Sequence, residues 1–341
     1  MMTWTKEEME IGGKTKVSAQ MPIIVSASRS TDIPAFYADW FIERLKAGYV
    51  KWFNPFNGLP LYVGFRKTRL VVFWSKNPRP MLAYLDELDN RNLNYYFQFT
   101  LNDYDAERIE PRVPPVTARI ETFRQLSERL GRDRVVWRFD PLILTDKLVV
   151  KDLLEKVKRL GDQIAPLTSR LVFSFIDIAA YKKVAANMER GGVQAREFTP
   201  DEMEEMAAGI GSLVKEWGLA AGTCGELRDL DRYGIEHNRC VDDRLIMKCF
   251  HHDRALMEFI GARYVEPDMF ANPSGGWVLD EYRKDGRQRK ACGCIMSKDI
   301  GEYNTCPHLC HYCYANTNNA TAEANWNRHK ASPHTATITG R

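Results

Sequence analysis

Three cysteines near the carboxyl end are spaced closely enough to bind one metal centre together. They are Cys306, Cys310 and Cys313, in the run CPHLCHYCYAN at 306–316, with the aromatic Tyr312 directly before the third cysteine. Thiolates are the ligands of structural zinc sites and of iron–sulfur clusters. A CxxC pair can also act as a redox dithiol. The spacing therefore predicts metal or redox chemistry in this segment.

Four interpretations of this segment differ in what else they require. A structural zinc site needs a fourth ligand and usually pairs a CxxC with two ligands far along the chain. A redox pair of Cys310 and Cys313 is not placed after the first strand, where thioredoxin-like motifs stand. If the three cysteines were ordinary buried core residues, their occurrence within eight residues with charged flanks would be improbable. Three thiolates on a four-iron cluster leave one iron open to another molecule, and this interpretation is favoured. The fourth zinc ligand could come from Cys292, Cys294, His308 or His311.

Four more cysteines are available for a second centre, namely Cys224, Cys240, Cys292 and Cys294. Four thiolates suffice for an auxiliary iron–sulfur cluster. In the alternative, Cys224 and Cys240 are ordinary buried cysteines and only the CGC run at 292–294 assists the main site. Cys249 lies among apolar residues and is expected in the core.

Composition excludes several classes of protein. The 341 residues carry 48 Lys and Arg against 45 Asp and Glu, a net charge of +3, with no basic block. A broad nucleic-acid surface is therefore not expected. The amino terminus has no apolar signal segment, and the apolar runs are of strand length, so we expect no membrane span. These features predict a cytoplasmic protein, in which thiols stay reduced.

Short apolar runs alternate with amphipathic stretches up to about residue 224. Their continuous apolar character is typical of parallel strands buried on both faces. The longest helix signal has Thr199 as N-cap, Pro200 at the first position, Glu202 completing a capping box and Gly218 as stop. The predicted strands are 23–26, 49–53, 71–74, 95–100, 135–139, 171–175 and 219–222, and further helices are predicted at 36–46, 80–88, 117–130 and 149–160.

Seven β/α repeats predict an α/β fold with a parallel sheet, either a full or partial (β/α) barrel of the TIM type or an open doubly wound sheet. The barrel is favoured, with a cysteine-rich carboxyl segment folding over its mouth. The predicted regions are an amino-terminal extension (1–21), the barrel repeats (22–226), a cysteine-rich region packed on the barrel (227–316) and a loose tail (317–341).

Polar side chains follow the predicted strands, where a barrel has its active face. Arginine and lysine there could bind carboxylate or phosphate groups, and acidic groups could bind hydroxyls or amines. Helix caps and rim salt bridges explain some of them equally well. The candidates for cofactor or substrate binding are Arg29, Asp32, Lys76, Asn77, Arg138, Asp140, Asp177, Glu226 and Tyr312.

The cysteine run resembles the signature of radical S-adenosylmethionine enzymes, CxxxCxΦC with Φ aromatic, and Tyr314-Ala315 continue the resemblance. In that family the cysteine loop follows the first barrel strand, near the amino terminus. Here the first strand is followed by SASRSTDIP, without cysteine, and no usual GGE motif is present. Either the barrel is permuted or the carboxyl segment folds back across its mouth.

Residues 22–316 also resemble a bacterial family catalogued as domain of unknown function 1848. The stretches that carry this resemblance include SASRSTDIPAFYADWF, FWSKNP, YYFQFTLNDY, VVWRFDP and CGCIMSKDIGEYNTCPHLCHYCYAN. The family name implies no activity. It implies that the cysteine-rich end and the predicted barrel form one unit.

The radical-enzyme resemblance implies a cofactor set and a reaction. Cys306, Cys310 and Cys313 would hold a [4Fe–4S] cluster, and reductive cleavage of S-adenosylmethionine would release a 5′-deoxyadenosyl radical. A flavodoxin or ferredoxin would supply the electron, and the substrate is a small molecule or peptide of unknown identity. The alternative is a zinc-stabilised (β/α) barrel acting as a hydrolase, a lyase or a binding protein.

Overall fold

The computed structural model describes residues 4–13, 15–267 and 275–341. Within them the strands are β1 (Lys6–Ile11), β2 (Thr15–Gln20), β3 (Ile24–Ala27), β4 (Tyr49–Phe53), β5 (Pro60–Gly64), β6 (Leu70–Ser75), β7 (Asn94–Thr100), β8 (Val135–Leu142), β9 (Leu144–Thr145), β10 (Arg170–Phe175), β11 (Ala195–Arg196), β12 (Ala220–Thr223), β13 (Ile235–His237), β14 (Ala262–Val265), β15 (Gly276–Leu279) and β16 (Lys298–Asp299). The helices are α1 (Ile33–Phe36), α2 (Ala38–Ala47), α3 (Leu85–Asn90), α4 (Val116–Leu130), α5 (Val150–Ile164), α6 (Lys182–Arg190), α7 (Pro200–Trp217), α8 (Asp243–Phe250), α9 (Arg254–Ile260) and α10 (Asn319–Ala331).

The central element is an eight-stranded sheet in the order β13-β12-β10-β8-β7-β6-β3-β16. Every pairing in it is parallel. Among the described residues no pairing joins the edge strands β13 and β16, so the sheet does not close on itself. The predicted α/β fold with a parallel sheet is confirmed at this level.

Both faces of the large sheet are buried, which explains the apolar runs of its strands. Alternate residues of β6 enter different cores, as the two-residue repeat of a strand requires. Val71 and Phe73 join the larger core with the helices α2, α4, α5 and α7, whereas Val72 joins a second core with Ile246 and Met257 of α8 and α9. The sheet is therefore a layer between two sets of helices and loops.

One prediction at the amino-terminal side was wrong. The predicted strand 49–53 exists as β4, but it pairs antiparallel with β5 in a separate sheet of order β1-β2-β5-β4. Its residues are only half-buried, unlike those of the central strands. Residues 1–21, expected to be an extension, supply β1 and β2 of this smaller sheet.

The carboxyl-terminal residues 317–341 are not the loose tail that their polarity predicted. They form α10, and Ala322, His329 and Ile338 are buried. Trp326 packs its ring edge against Tyr37, with the ring centroids 5.3 Å apart. A few aromatic and small side chains anchor this helix, so it shows no apolar periodicity in the sequence.

Helix α7 confirms the strongest local prediction. The Thr199 side chain accepts a hydrogen bond from the Glu202 backbone N–H, and the Glu202 carboxylate accepts one from the Thr199 backbone N–H. Gly218 ends the helix at φ 66°. Only glycine takes such a left-handed backbone without strain. Across the described ranges, no helix combines the length and apolar character needed to cross a membrane.

Candidate functional site

The cysteine loop, residues 300–318, lies at the carboxyl edge of the large sheet. It follows β16, which pairs with β3, and it leads into α10. Its contacts are with the segments that follow β3, β6 and β7, because parallel strands bring their carboxyl ends to one edge. The loop is thus part of a strand–loop–helix unit of the sheet, and it lies at the edge where the carboxyl-terminal segment was expected.

Asp32 fixes the loop to the ends of two strands. Its Oδ2 accepts hydrogen bonds from His308 Nε2 at 2.9 Å and from the Lys76 backbone N–H at 2.7 Å. Its Oδ1 accepts from the Ser75 hydroxyl at 2.7 Å and from the Ala35 backbone at 3.0 Å. All four acceptor positions of this buried carboxylate are used within the chain. Asp32 therefore positions the loop.

A buried polar network surrounds Tyr312. Lys76 Nζ lies 2.8 Å from Glu110 Oε1 and 2.5 Å from the Tyr312 hydroxyl, which itself donates to Glu110. Asn102 donates to the same hydroxyl at 3.1 Å. Burial raises the pKa of Glu110, but the charges of Lys76 and Arg119 outweigh it and hold that pKa at about 2. The network keeps Tyr312 fixed between the two cysteines of its CxxC and places a lysine cation beside them.

The thiols of Cys306, Cys310 and Cys313 lie within electrostatic range of one another. Burial raises the pKa of each, and the charges of the other cysteines raise it further for Cys306 and Cys310. Backbone N–H groups point at the sulfurs, including that of Asn316 at 3.3 Å from Cys313 Sγ. Such buried thiols become thiolates when a metal replaces their protons. By their chemistry the three thiols suit a metal cluster, but the described residues include no group of three or more His, Cys, Asp or Glu side chains already placed to hold an ion, and these three cysteines are among the residues so described.

The other four predicted ligands also meet. Cys224 Sγ lies 3.5 Å from Cys240 Sγ. Hydrogen bonds from the Cys240 and Cys292 thiols lower the pKa of Cys294. The described residues include no group of three or more His, Cys, Asp or Glu side chains already arranged to hold a metal ion. The structure therefore brings the four cysteines together without setting them in coordination geometry.

Arg29, Arg138 and Asp140 lie beside the second cysteine group. Arg138 donates to Cys240 Sγ at 3.0 Å and pairs with Asp140. Arg29 lies over the Trp74 ring, 4.8 Å from its centroid, and donates to the Ser297 hydroxyl at 3.3 Å. Burial lowers the pKa of Arg29, but the charges of Cys294 and Asp299 outweigh it and raise that pKa. These cations would compensate the negative charge of thiolates formed by the second cysteine group.

Three predicted residues lie outside this arrangement. Asp177 is half-exposed and its carboxylate stands 3.6 Å from Arg289, a rim salt bridge. The Glu226 carboxylate accepts from the backbone of the two residues that follow it. The Asn77 backbone donates to the Ser75 hydroxyl at 3.0 Å, which shapes a turn. These contacts agree with the alternative that such residues shape turns and caps or form salt bridges at the rim.

Glu110 and Asn187 were not predicted from the sequence as residues of the site, and His308 was predicted only as a possible zinc ligand. Asn187, on α6, donates to the backbone oxygens of Cys313 at 2.7 Å and Asn316 at 2.9 Å. His308 lies inside the cysteine motif and was considered only as a zinc ligand. Glu110 stands in an irregular loop where neither periodicity nor spacing distinguishes it. Only the sequence position of His308 offered a signal.

The fold and the site define a parallel α/β protein that gathers seven cysteines beside one sheet. The chain belongs to the family described as domain of unknown function (DUF1848), whose model matches residues 24–315. No curated protein matches the sequence. One similar solved structure is a candidate alpha-L-fucosidase from Bacteroides thetaiotaomicron, at 13% identity and a TM-score of 0.25, covering 48% of this chain and 67% of that chain. A similarity with so low a TM-score supports no statement about the fold or the function of this chain.

Proposed function

We propose that the protein is an iron–sulfur enzyme of the radical S-adenosylmethionine kind, acting on a substrate still to be identified. Cys306, Cys310 and Cys313 would hold a [4Fe–4S] cluster with one iron left for S-adenosylmethionine. When bound, the cluster supplies the electron that cleaves S-adenosylmethionine to methionine and a 5′-deoxyadenosyl radical. Such chemistry fits the cytoplasm, where thiols stay reduced.

One observation carries the proposal, namely the place of the cysteine loop in the order of strands. β16, the cysteine loop and α10 form a β/α unit, and β16 is the edge strand beside β3. When the strands are counted across the sheet from the β16 edge, β16 is the first strand and the cysteine loop follows it. Radical S-adenosylmethionine enzymes likewise carry their cysteine loop after the first strand. Counted along the chain, that unit comes last. A permuted order of strands would account for the position that conflicts with the family pattern.

The same order supports a barrel left open on one side. From β3 to β13 each successive strand of the large sheet adds beside the previous one, and β16 adds on the other side of β3. This is the order of a (β/α)₈ barrel in which β13 and β16 do not pair. The inner face of such an open barrel would hold the cofactor beside the carboxyl strand ends.

The residues around the loop have definable tasks in this proposal. The His308–Asp32 contact and Asn187 hold the cysteine backbone in place. Lys76 contributes a positive charge near Cys310, which favours thiolate over thiol at that position. Cys310 is buried and Cys306 and Cys313 are half-buried, so the site is partly shielded from water. An acidic flavodoxin or a ferredoxin remains the proposed electron donor.

The decisive experiment uses the full chain purified and reconstituted without oxygen. We expect about four irons and four sulfides per chain at this site, and 5′-deoxyadenosine after addition of dithionite and S-adenosylmethionine. Single Cys306→Ser, Cys310→Ser and Cys313→Ser variants should lose that iron, whereas Cys249→Ser should keep it. Zinc bound by these three cysteines would contradict the proposal and favour the zinc-stabilised alternative. An intact cluster that yields no 5′-deoxyadenosine would also contradict it and would leave the cluster an electron-transfer or structural role.

A further inference from the structure

We infer that Cys224, Cys240, Cys292 and Cys294 bind a single zinc ion, which clamps the open side of the large sheet. This site is separate from the proposed iron–sulfur cluster, and it does not depend on the proposed function. The four cysteines would form a mononuclear tetrathiolate centre in place of the auxiliary iron–sulfur cluster.

The spacing of the sulfurs favours a single ion. Four thiolates around zinc at about 2.3 Å place neighbouring sulfurs about 3.8 Å apart. Cys224 Sγ and Cys240 Sγ stand 3.5 Å apart, and Cys240 and Cys292 lie close enough to Cys294 to lower its pKa. In a four-iron cluster each thiolate binds a different iron, so its sulfurs stand much farther apart. Because the four side chains are not yet in coordination geometry, binding requires rotation about their Cα–Cβ bonds.

The surroundings supply what a buried tetrathiolate needs. Cys240 and Cys294 are buried, and the Val241 backbone N–H donates to Cys294 Sγ at 3.4 Å. The Asn238 amide donates to Cys240 Sγ at 3.5 Å. A zinc ion with four thiolates carries a net charge of about −2, which needs nearby cations when it is removed from water. Arg138 and Arg29 are the cations beside the four cysteines, and Arg138 also pairs with Asp140.

The place of the four cysteines in the fold gives the ion a structural task. Cys224 and Cys240 follow β12 and β13, at one edge of the sheet, whereas Cys292 and Cys294 precede β16, at the other edge. The backbone N–H of Ile295 donates to the Val241 carbonyl at 3.1 Å, so the two segments already touch there. A zinc ion would join the edges that backbone pairing leaves apart. It would also fix the start of the unit that carries the cysteine loop.

Two variants of the full chain test the site by metal analysis. In the reconstituted wild type we expect one zinc per chain, and its X-ray absorption spectrum should show about four sulfur neighbours at roughly 2.3 Å. A Cys306→Ser/Cys310→Ser/Cys313→Ser variant should keep the zinc and contain no sulfide. A Cys292→Ser/Cys294→Ser variant should lose the zinc, whereas the Cys249→Ser control should keep it.

The outcomes separate this inference from the proposed function. The zinc site would be overturned if the Cys292→Ser/Cys294→Ser variant contained less iron and sulfide than the wild type by the amount of a second cluster. A mononuclear iron centre, a wild type without zinc, or zinc that disappears with the cysteines of the loop would also overturn it. Zinc that stays in the loop variant supports the site even if the wild type makes no 5′-deoxyadenosine. The wild-type spectrum decides the case if a variant fails to fold.

Discussion

The Nε2 of His308 lies 2.9 Å from the Oδ2 of Asp32, and 276 residues of chain separate the two. This contact joins the cysteine loop to the loop that follows β3. Both side chains are buried, and His308 also packs edge-on against Phe36, with the ring centroids 4.6 Å apart. The carboxyl-terminal motif is thereby held by a residue from the first tenth of the sequence.

Replacing this histidine should loosen the loop. His308→Ala removes a buried hydrogen bond and leaves a cavity, so we expect a loss of about 2–4 kcal/mol in the free energy of unfolding. The variant should also retain less iron after reconstitution. Denaturant unfolding and iron analysis measure the two effects. His252→Ala, at an exposed histidine, should change stability by less than about 0.5 kcal/mol, and an equal effect of both variants would contradict the anchoring role.

Glu110 should stabilise the fold through its charge. Glu110→Gln leaves the buried cation of Lys76 without its carboxylate, so we expect a loss of about 3–5 kcal/mol at neutral pH. Burial opposes ionisation of Glu110, but the Lys76 and Arg119 charges dominate and hold its pKa at about 2. The contribution is therefore fully present above the unfolded pKa of about 4.5 and is lost as the pH falls toward 2.

Urea unfolding of wild type and Glu110→Gln at several pH values tests this sign. The difference in unfolding free energy between them should shrink below about pH 4.5. Glu121→Gln, at an exposed position of α4, serves as the control and should show little difference at any pH. A difference that grows on acidification would exclude the assigned electrostatic role.

The carboxyl-terminal helix should contribute to stability. Trp326 contacts the rings of Tyr37 and Phe36 with centroid distances of 5.3 and 5.7 Å. Trp326→Ala should cost about 2–3 kcal/mol, because a half-buried aromatic contact is lost. Asn327→Ala changes the exposed neighbour on the same helix and should stay within about 0.5 kcal/mol. Thermal unfolding compares them, and two identical melting temperatures would argue against a packed tail.

Lys76 should tune the proposed cluster. Its positive charge acts on the Cys310 thiol, and a cation near a cluster favours the more negative, reduced state. Lys76→Met should therefore shift the reduction potential downward by tens of millivolts. A redox titration followed by electron paramagnetic resonance measures the shift. Lys158→Met, at an exposed lysine of α5, should leave the potential unchanged, and an upward shift in Lys76→Met would contradict the electrostatic argument.

Local sequence signals determined much of the fold. The capping box of Thr199 and Glu202 and the stop at Gly218 predicted the ends of α7, because these interactions lie within a few residues of each other. Continuous apolar runs predicted six strands of the large sheet, because burial on both faces leaves few polar positions in them. The spacing of Cys306, Cys310 and Cys313 fixed the most distinctive chemical feature of the chain.

Only the tertiary structure decided how those parts meet. β16 has two residues and β13 has three, too few for any periodicity, yet they form the two edges of the sheet. The pairing of β16 with β3 placed the cysteine loop beside the loop that follows β3, although it comes near the end of the sequence. Likewise, Glu110 faces Lys76 and Tyr312 through contacts between distant loops. Such contacts depend on strand order and packing, which no local pattern of residues encodes.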